Sequence, residues 1–217
     1  MRTVVIGDIH GCLAALDTLL DTIAPTSEDV IVTLGDYIDR GPDSRGVIER
    51  LIQVSSHCTL YPLMGNHEEM MLMSLQGGVS PFRWLQNGGT ETMESYGFTG
   101  DVDVIPKEHF DFLNNLLPYK ELDQFLCLHA NYDSDVPLAE QTPAYLRWIK
   151  LTESFPQPNP EVKRLIVGHT PARDGEVVFQ PHLIALDTFC YGGGWLSALD
   201  LSTLEVYQAD IDGRLRR

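Results

Sequence analysis

The chain has 217 residues, enough for one domain with its own core, and at 43% hydrophobic and 21% charged it falls outside the disordered and fibrous classes. Thirty-one acids against fifteen Lys+Arg leave a net charge of −16, which argues against nucleic acid as a partner. No run of about 18 apolar residues is present to cross a bilayer, and Cys12, Cys58, Cys127 and Cys190 form no Cys-x-x-Cys pair, so neither a thiolate zinc site nor a disulfide framework is indicated. The N-terminus runs directly into the apolar Val4-Val5-Ile6 without a signal-type stretch, and the expectation is a cytoplasmic protein without a membrane partner.

In chain order, Thr3–Gly7 reads as a strand, and Cys12, Leu13, Leu16, Leu19, Leu20 and Ile23 recur at helical spacing up to Pro25. Val30–Leu34 is a second strand, Val47, Ile48, Leu51 and Ile52 mark the helix behind it, and Thr59–Met64 is a third strand. Strands alternating with helices predict crossovers and a largely parallel sheet. From about Leu75 to Leu122 the chain is punctuated by Gly77-Gly78, Gly88-Gly89, Gly97 and Gly100, and reads as a small helical cap within a single domain of residues 1–217. Strand patterns return at Gln124–His129, Arg164–Gly168, Val177–Phe179, Leu183–Leu186, Trp195–Asp200 and Leu204–Gln208. The last four are expected to form antiparallel strands of a second sheet.

Each early strand stops at a glycine and a polar cluster: Gly7-Asp8-Ile9-His10, Gly35-Asp36-Tyr37-Ile38-Asp39-Arg40 and Gly65-Asn66-His67-Glu68. In open α/β sheets ligands bind outside the carboxyl ends of the strands, so these clusters converge on one rim. Four of the seven histidines, His10, His67, His129 and His169, follow apolar runs in this way. A donor set of carboxylate, imidazole and amide oxygen without thiolate suits Mn²⁺, Fe or Zn²⁺, and it holds more ligands than one ion needs. Two ions sharing a carboxylate would use them, and such pairs act on phosphorus. His57, His109 and His182 lie outside every cluster and are expected to be partly exposed. The cysteines are expected to be small buried hydrophobes.

These three segments resemble the GDxHG, GDxxDRG and GNHE signatures of the phosphoprotein phosphatase family of metallophosphoesterases. Asp8 and Asp36 are 28 residues apart, and Asp36 and Asn66 are 30 apart, as in that family. Leu128-His129-Ala130, Gly168-His169-Thr170-Pro171 and Asp187-Thr188 continue the likeness, which is nearest to the small bacterial and phage protein phosphatases. The resemblance implies an α/β/β/α sandwich of two mixed sheets flanked by helices. It implies two divalent metal ions, Mn²⁺ foremost, one held by Asp8, His10 and Asp36 and the other by Asp36, Asn66, His129 and His169. It further implies that Arg40 clamps the phosphate, His67 protonates the leaving group, Asp39 orients His67, and a metal-bridging water or hydroxide attacks phosphorus directly. A second phosphate-binding Arg of the family is missing from Tyr145-Leu146-Arg147-Trp148-Ile149-Lys150; by register Lys150 takes its place, and Arg147 does so only if the helix is rotated. The implied activity is hydrolysis of phosphoserine and phosphothreonine in phosphoproteins or phosphopeptides. The alternative is hydrolysis of diadenosine tetraphosphate, because those enzymes share the early motifs, and a non-catalytic interaction scaffold is the third reading. Oligomeric state is not legible.

Overall fold

The computed structural model describes residues 2–78, 80–100, 104–159 and 164–216. The first half follows the periodicity closely. Strand β1 (Thr3–Ile6), helix α1 (Leu13–Ile23), β2 (Val30–Thr33), α2 (Ser44–His57), β3 (Thr59–Pro62) and α3 (Asn66–Leu75) alternate, and β1, β2 and β3 pair in parallel. Helix α1 buries Ala15, Leu16, Leu19, Leu20 and Ile23 on one stripe, then stops where Ala24 turns left-handed and its N–H reaches the Leu20 carbonyl ahead of Pro25. Helix α2 starts at an Asp43 cap whose side chain accepts from Gly46 N at 2.8 Å.

The cap follows as α4 (Pro81–Trp84), a π-turn over Leu85–Gly89, α5 (Thr90–Ser95) and α6 (Lys107–Asn114). Of the expected 75–122 segment, residue 79 and residues 101–103 lie outside the described residues. Its last part is not cap: Tyr119–Glu121 is β4, an edge strand of the second sheet, paired antiparallel with β5 (Leu126–Leu128). Beyond β5 come α7 (Pro143–Arg147), β6 (Leu165–Val167), β7 (Val178–Phe179), β8 (Leu183–Ala185), β9 (Asp187–Thr188), β10 (Trp195–Asp200) and β11 (Val206–Ala209).

Among the described residues one sheet runs β11-β10-β1-β2-β3, with β9 also on β10, and the other runs β4-β5-β6-β8-β7. This corrects the expected antiparallel second sheet. Its centre, β5-β6-β8, is parallel, and β10 and β11 belong to the first sheet, where Val4, Val5 and Ile6 face Asp200, Leu199 and Ala198. A strand's own alternation shows that it is buried but does not name its partner. Leu204, expected in the last strand, sits in the turn before it with φ +59.

Alternate residues of each strand face different layers, giving three cores. Val4, Ile6 and Ile31 pack with the helices and cap; Val5 and Val32 meet Cys127, Ile166 and Ile184 between the sheets; Leu126, Leu165 and Leu183 pack outward with Tyr132 and Leu146. Burying one such aliphatic side chain contributes about 1.5–3 kcal/mol, so this sandwich holds the strand ends rigidly in register. Two mixed sheets flanked by helices are the architecture that the motifs implied.

Candidate metal centre and active site

The parallel strands β1, β2, β3, β5, β6 and β8 deliver Asp8 and His10, Asp36, Asn66 and His67, His129, His169 and Asp187 to their carboxyl ends. The backbone there is unusual. His10, Asp36, Asp39, Arg40 and His169 all have positive φ, between 45° and 73°. Non-glycine residues adopt this region at a cost, and such outliers gather at functional sites. The close packing also explains a motif glycine: a Cβ on Gly168 would lie 1.9 Å from Asp8 Oδ1.

Three imidazoles are held by backbone carbonyls so that the other ring nitrogen faces inward as an acceptor. His10 Nδ1 donates to Ile38 O at 2.9 Å, His129 Nδ1 to Leu34 O at 2.8 Å, and His169 Nε2 to Trp148 O at 2.9 Å. Burial, the largest cause in each, pushes all three below the ordinary histidine range, His169 to about 4, so they stand neutral. Around Asp36 their inward atoms close up. His10 Nε2 is 3.4 Å from Asp36 Oδ2, His129 Nε2 is 3.4 Å from Asp36 Oδ1, and Asn66 Oδ1 lies 3.1 Å from His129 Nε2 and 2.9 Å from His169 Nδ1. Burial alone would raise the Asp36 carboxyl, but His129, His67, His10 and His169 outweigh it and hold it well below the usual carboxylate range.

Two groups have ligand atoms all within 4.8 Å of one another: His10, Asp36 and His67, and Asp36, His129 and His169. Asp36 belongs to both, as a shared carboxylate must. Asp8 falls outside these groups. Its Oδ2 accepts from His169 N at 2.8 Å, while its Oδ1 is buried without a hydrogen-bond partner among the described residues. Burial, then Asp187 and Asp36, push the Asp8 carboxyl up, and burial pushes Asp187 up to about 7. An orphaned carboxylate oxygen, crowded acids and the inward nitrogens of His129 and His169, which meet only acceptor oxygens, are incomplete in one buried space until cations enter. The donor set therefore fits two divalent ions.

Beside the metal centre, His67 Nδ1 lies 2.6 Å from Asp39 Oδ2, with both side chains buried. Burial lowers the His67 pKa, but Asp36 and Asp39 outweigh it and raise it above the ordinary value. Asp39 is itself held by the cap: Trp84 Nε1 donates to both carboxylate oxygens at 3.0 and 3.1 Å, and Thr92 Oγ1 donates to Oδ1 at 2.7 Å. The π-turn comes close enough for Gly88 O to accept from Arg40 N at 3.2 Å, and Gly88 has φ +110, with space for no Cβ: one would sit 2.6 Å from Arg40 N. Arg40 Nη1 donates to His10 Nε2 at 3.1 Å and to Tyr191 Oη at 3.0 Å.

Glu68 is the residue that the motif underweights. It is fully buried, and its oxygens accept from Gly65 N, Asp36 N, Tyr37 N and Ile38 N at 3.1, 2.9, 2.7 and 3.3 Å, fixing the loop that carries Asp36 and Asp39. Trp84 and Thr92 carry no local sign of their role, because the contact with Asp39 spans more than 40 residues. Asp187 is legible by the strand-end rule that found the others. Arg147 is committed to Glu69, its Nη2 donating to Oε1 at 2.6 Å, whereas Lys150 is exposed beyond the end of α7 and close enough to His169 to depress its pKa. His109 is corrected: it is buried in the cap, with Nδ1 2.8 Å from Tyr96 Oη. All four cysteines are buried and free, as expected.

The family model of the calcineurin-like phosphoesterases matches residues 1–205. The asymmetrical bis(5′-nucleosyl)-tetraphosphatase PrpE of Oceanobacillus iheyensis is 26% identical, with 91% of this chain and 88% of that protein covered. Serine/threonine-protein phosphatase 1 of Salmonella typhimurium is 40% identical over 86 residues, which span 39% of this chain and 38% of that protein. The crystal structure of a provisionally assigned diadenosine tetraphosphatase superposes with a TM-score of 0.73 at 23% identity, covering 96% of this chain and 92% of the other, which speaks to the fold. With the signatures at strand ends, the shared carboxylate between two donor groups and the family match over nearly its whole length, the chain belongs to the calcineurin-like phosphoesterases, a metal-dependent phosphoesterase with the phosphoprotein phosphatase signatures.

Proposed function

We propose that this protein hydrolyses dinucleoside polyphosphates of the diadenosine tetraphosphate type. The observation that carries the reading is the state of the cations around the site. In a chain with twice as many acids as bases, six bases pair with no carboxylate among the described residues: Lys120 and Arg164, which rest on the rings of Tyr61 and Phe179, and Arg40, Arg83, Lys150 and Arg173. The last four belong to segments that build the rim. Arg40 touches His10; Arg83 stands 5.3 Å over the ring of Trp148, whose carbonyl holds His169; Lys150 follows Trp148; and Arg173 lies two residues beyond the Gly168–Pro171 segment that carries His169. Lack of an acidic partner is not peculiar to the rim, but four such cations on segments of one rim favour an anion larger than one phosphate. The likeness to PrpE over most of both chains supports the same choice.

Asp8, His10 and Asp36 would hold one ion, and Asp36, Asn66, His129 and His169 the other, with Mn²⁺ the proposed metal. Two such ions supply Lewis acidity to the phosphoryl oxygens and a nucleophile at neutral pH. The chain's own residues do the rest. Arg40 binds phosphoryl oxygens through its planar fork, with Tyr191 fixing one edge of the guanidinium. His67, kept protonated beside Asp39, presents Nε2–H toward Asp36 and the bound phosphate, and gives that proton to the departing oxygen. Lys150 contributes a point charge at the place of the absent second Arg.

Hydrolysis of phosphoserine is the second reading, favoured by the same His67–Asp39 pair, since an alkoxide leaving group needs a proton. Initial rates with diadenosine tetraphosphate and with a phosphoserine peptide, at fixed free Mn²⁺ and in chelator, decide between them. The expected result is a kcat/KM for the dinucleotide at least about tenfold above that for the peptide, abolished by chelator; the opposite ranking overturns the proposal.

A further inference from the structure

A chain of stacked groups leads away from the metal centre along one wall. The Arg40 guanidinium carbon lies 4.8 Å from the Tyr191 ring, Tyr191 meets Phe189 edge to face at 4.9 Å, and the Arg173 guanidinium carbon stands 5.3 Å over Phe189. The inner end is anchored: Tyr191 also meets the His10 ring edge to face at 4.8 Å. The outer end is exposed, with Arg173 in solvent and Phe189 half-buried.

Holding Phe189 in this wall takes an uncommon backbone. Its φ is +64 and ψ +43, a left-handed conformation that a bulky aromatic residue rarely adopts. Gly192 lies against the ring, where a Cβ would come within 2.1 Å of its Cε1 and Cζ. Phe189 N donates to Asp187 Oδ1 at 3.0 Å, and its carbonyl accepts from Gly192 N and Gly194 N. The segment bearing Arg173 is stitched to the same place, with Ala172 N donating to Asp187 O at 2.9 Å. Both outer members are thus rooted in residues next to the metal centre, and a strained residue that the surroundings over-determine points to a function.

We infer that Arg173, seated on Phe189, is a second anion-binding site that takes a phosphoryl group of the substrate remote from the one cleaved. This rests on the polyphosphate reading and names what sets the substrate's length. Arg40 and the metal centre receive the reacting phosphate, and Tyr191 and Phe189 line the path along which the rest of the chain reaches Arg173. The aromatic face orients the planar guanidinium while leaving its N–H groups free for oxygen. A phosphate monoester is too short to use it.

The probes are tripolyphosphate and inorganic phosphate, as competitive inhibitors of p-nitrophenyl phosphate hydrolysis by the Mn²⁺-loaded protein with free Mn²⁺ held constant. In the wild type tripolyphosphate binds the more tightly. Arg173→Ala is expected to raise the inhibition constant for tripolyphosphate about tenfold and that for inorganic phosphate less than twofold, the size of one lost charge-assisted contact. Arg173→Lys, which keeps the charge, is expected to recover most of the affinity. Equal constants for the two anions in the wild type, or parallel changes in Arg173→Ala, overturn the site. Diadenosine tetraphosphate hydrolysis is scored separately: its absence with the tripolyphosphate effect intact removes the functional reading and leaves the anion site standing.

Discussion

Replacing Glu68 tests how this centre is held together. The N–H groups of Gly65, from the turn before α3, and of Asp36, Tyr37 and Ile38 converge on its carboxylate in a fully buried space, and the loop of the last three carries three left-handed residues, Asp36, Asp39 and Arg40. Leaving a buried donor without an acceptor costs about 1–3 kcal/mol. Glu68→Ala strands four, and water entering the vacated space recovers part, so a loss of about 4–6 kcal/mol is expected. That is comparable with the whole stability of a domain, about 5–15 kcal/mol. Glu68→Gln is the more informative variant. It keeps one acceptor oxygen, turns an NH₂ toward two of the donors, and should cost about 2–4 kcal/mol. The assay is urea unfolding followed by circular dichroism, with and without Mn²⁺, comparing midpoints at constant slope. Activity should fall as well, because the loop positions Asp36 and Asp39. A Glu68→Gln protein within about 1 kcal/mol of wild type and fully active would refute the argument that this carboxylate holds the loop.

Asp36→Asn should abolish activity and lower metal content to one ion or fewer per chain, read by elemental analysis; two tightly held ions would contradict a shared carboxylate. In chelator, stability should decline between about pH 6.5 and 8. Burial and Asp36 raise Glu68 to about 8, burial raises Asp187 to about 7, and Asp36 and Asp39 raise His67, so the folded state binds protons that the unfolded chain has released and loses that stabilisation as pH rises. The depressed histidines act below this window, where folding disfavours their protonation, and Mn²⁺, which competes with protons for the acids, should flatten the decline. His67→Asn should slow phosphoserine hydrolysis by about 10²–10⁴, and slow diadenosine tetraphosphate much less, since a phosphate leaving group with a pKa of about 6 needs little protonation; equal losses would remove His67 from the acid role. Lys150→Ala should raise KM more than Arg147→Ala raises it, and Arg147→Ala should instead lower the melting temperature by breaking the pair with Glu69.

What could be read from the sequence was what depends on neighbours along the chain. The strand runs, the helix stripes and the polar clusters after Ile6, Leu34 and Met64 are local, and the fold places them as the periodicity predicts. What escaped depends on partners far away. Trp195–Asp200 was legible as a strand, but only the loop over Phe189–Gly194 turns it onto β1, and no pattern within the strand says so. His109 looked exposed because its segment is polar, yet Tyr96 covers it. The metal-ligating types were recognisable because the chemistry restricts them, whereas Trp84 and Thr92 are ordinary residues made important by a 45-residue and a 53-residue contact with Asp39.

Those two contacts bear on how the cap and the chemistry are linked. A lid that only covered a site could vary freely, but here the cap supplies three of the hydrogen bonds to Asp39 and the carbonyl that receives Arg40 N. Asp39 in turn fixes the tautomer and charge of His67. A shift of the cap would therefore move the proposed proton donor and the proposed phosphate clamp together, while the strand-end residues, rooted in the two sheets, stay in place. With the roles proposed above, metal affinity would follow the sandwich, and turnover and leaving-group dependence would follow the place where the cap meets residues 39 and 40. On the reading proposed above, the cations around that junction would favour a long anion while the strand-end residues stay where the sheets hold them.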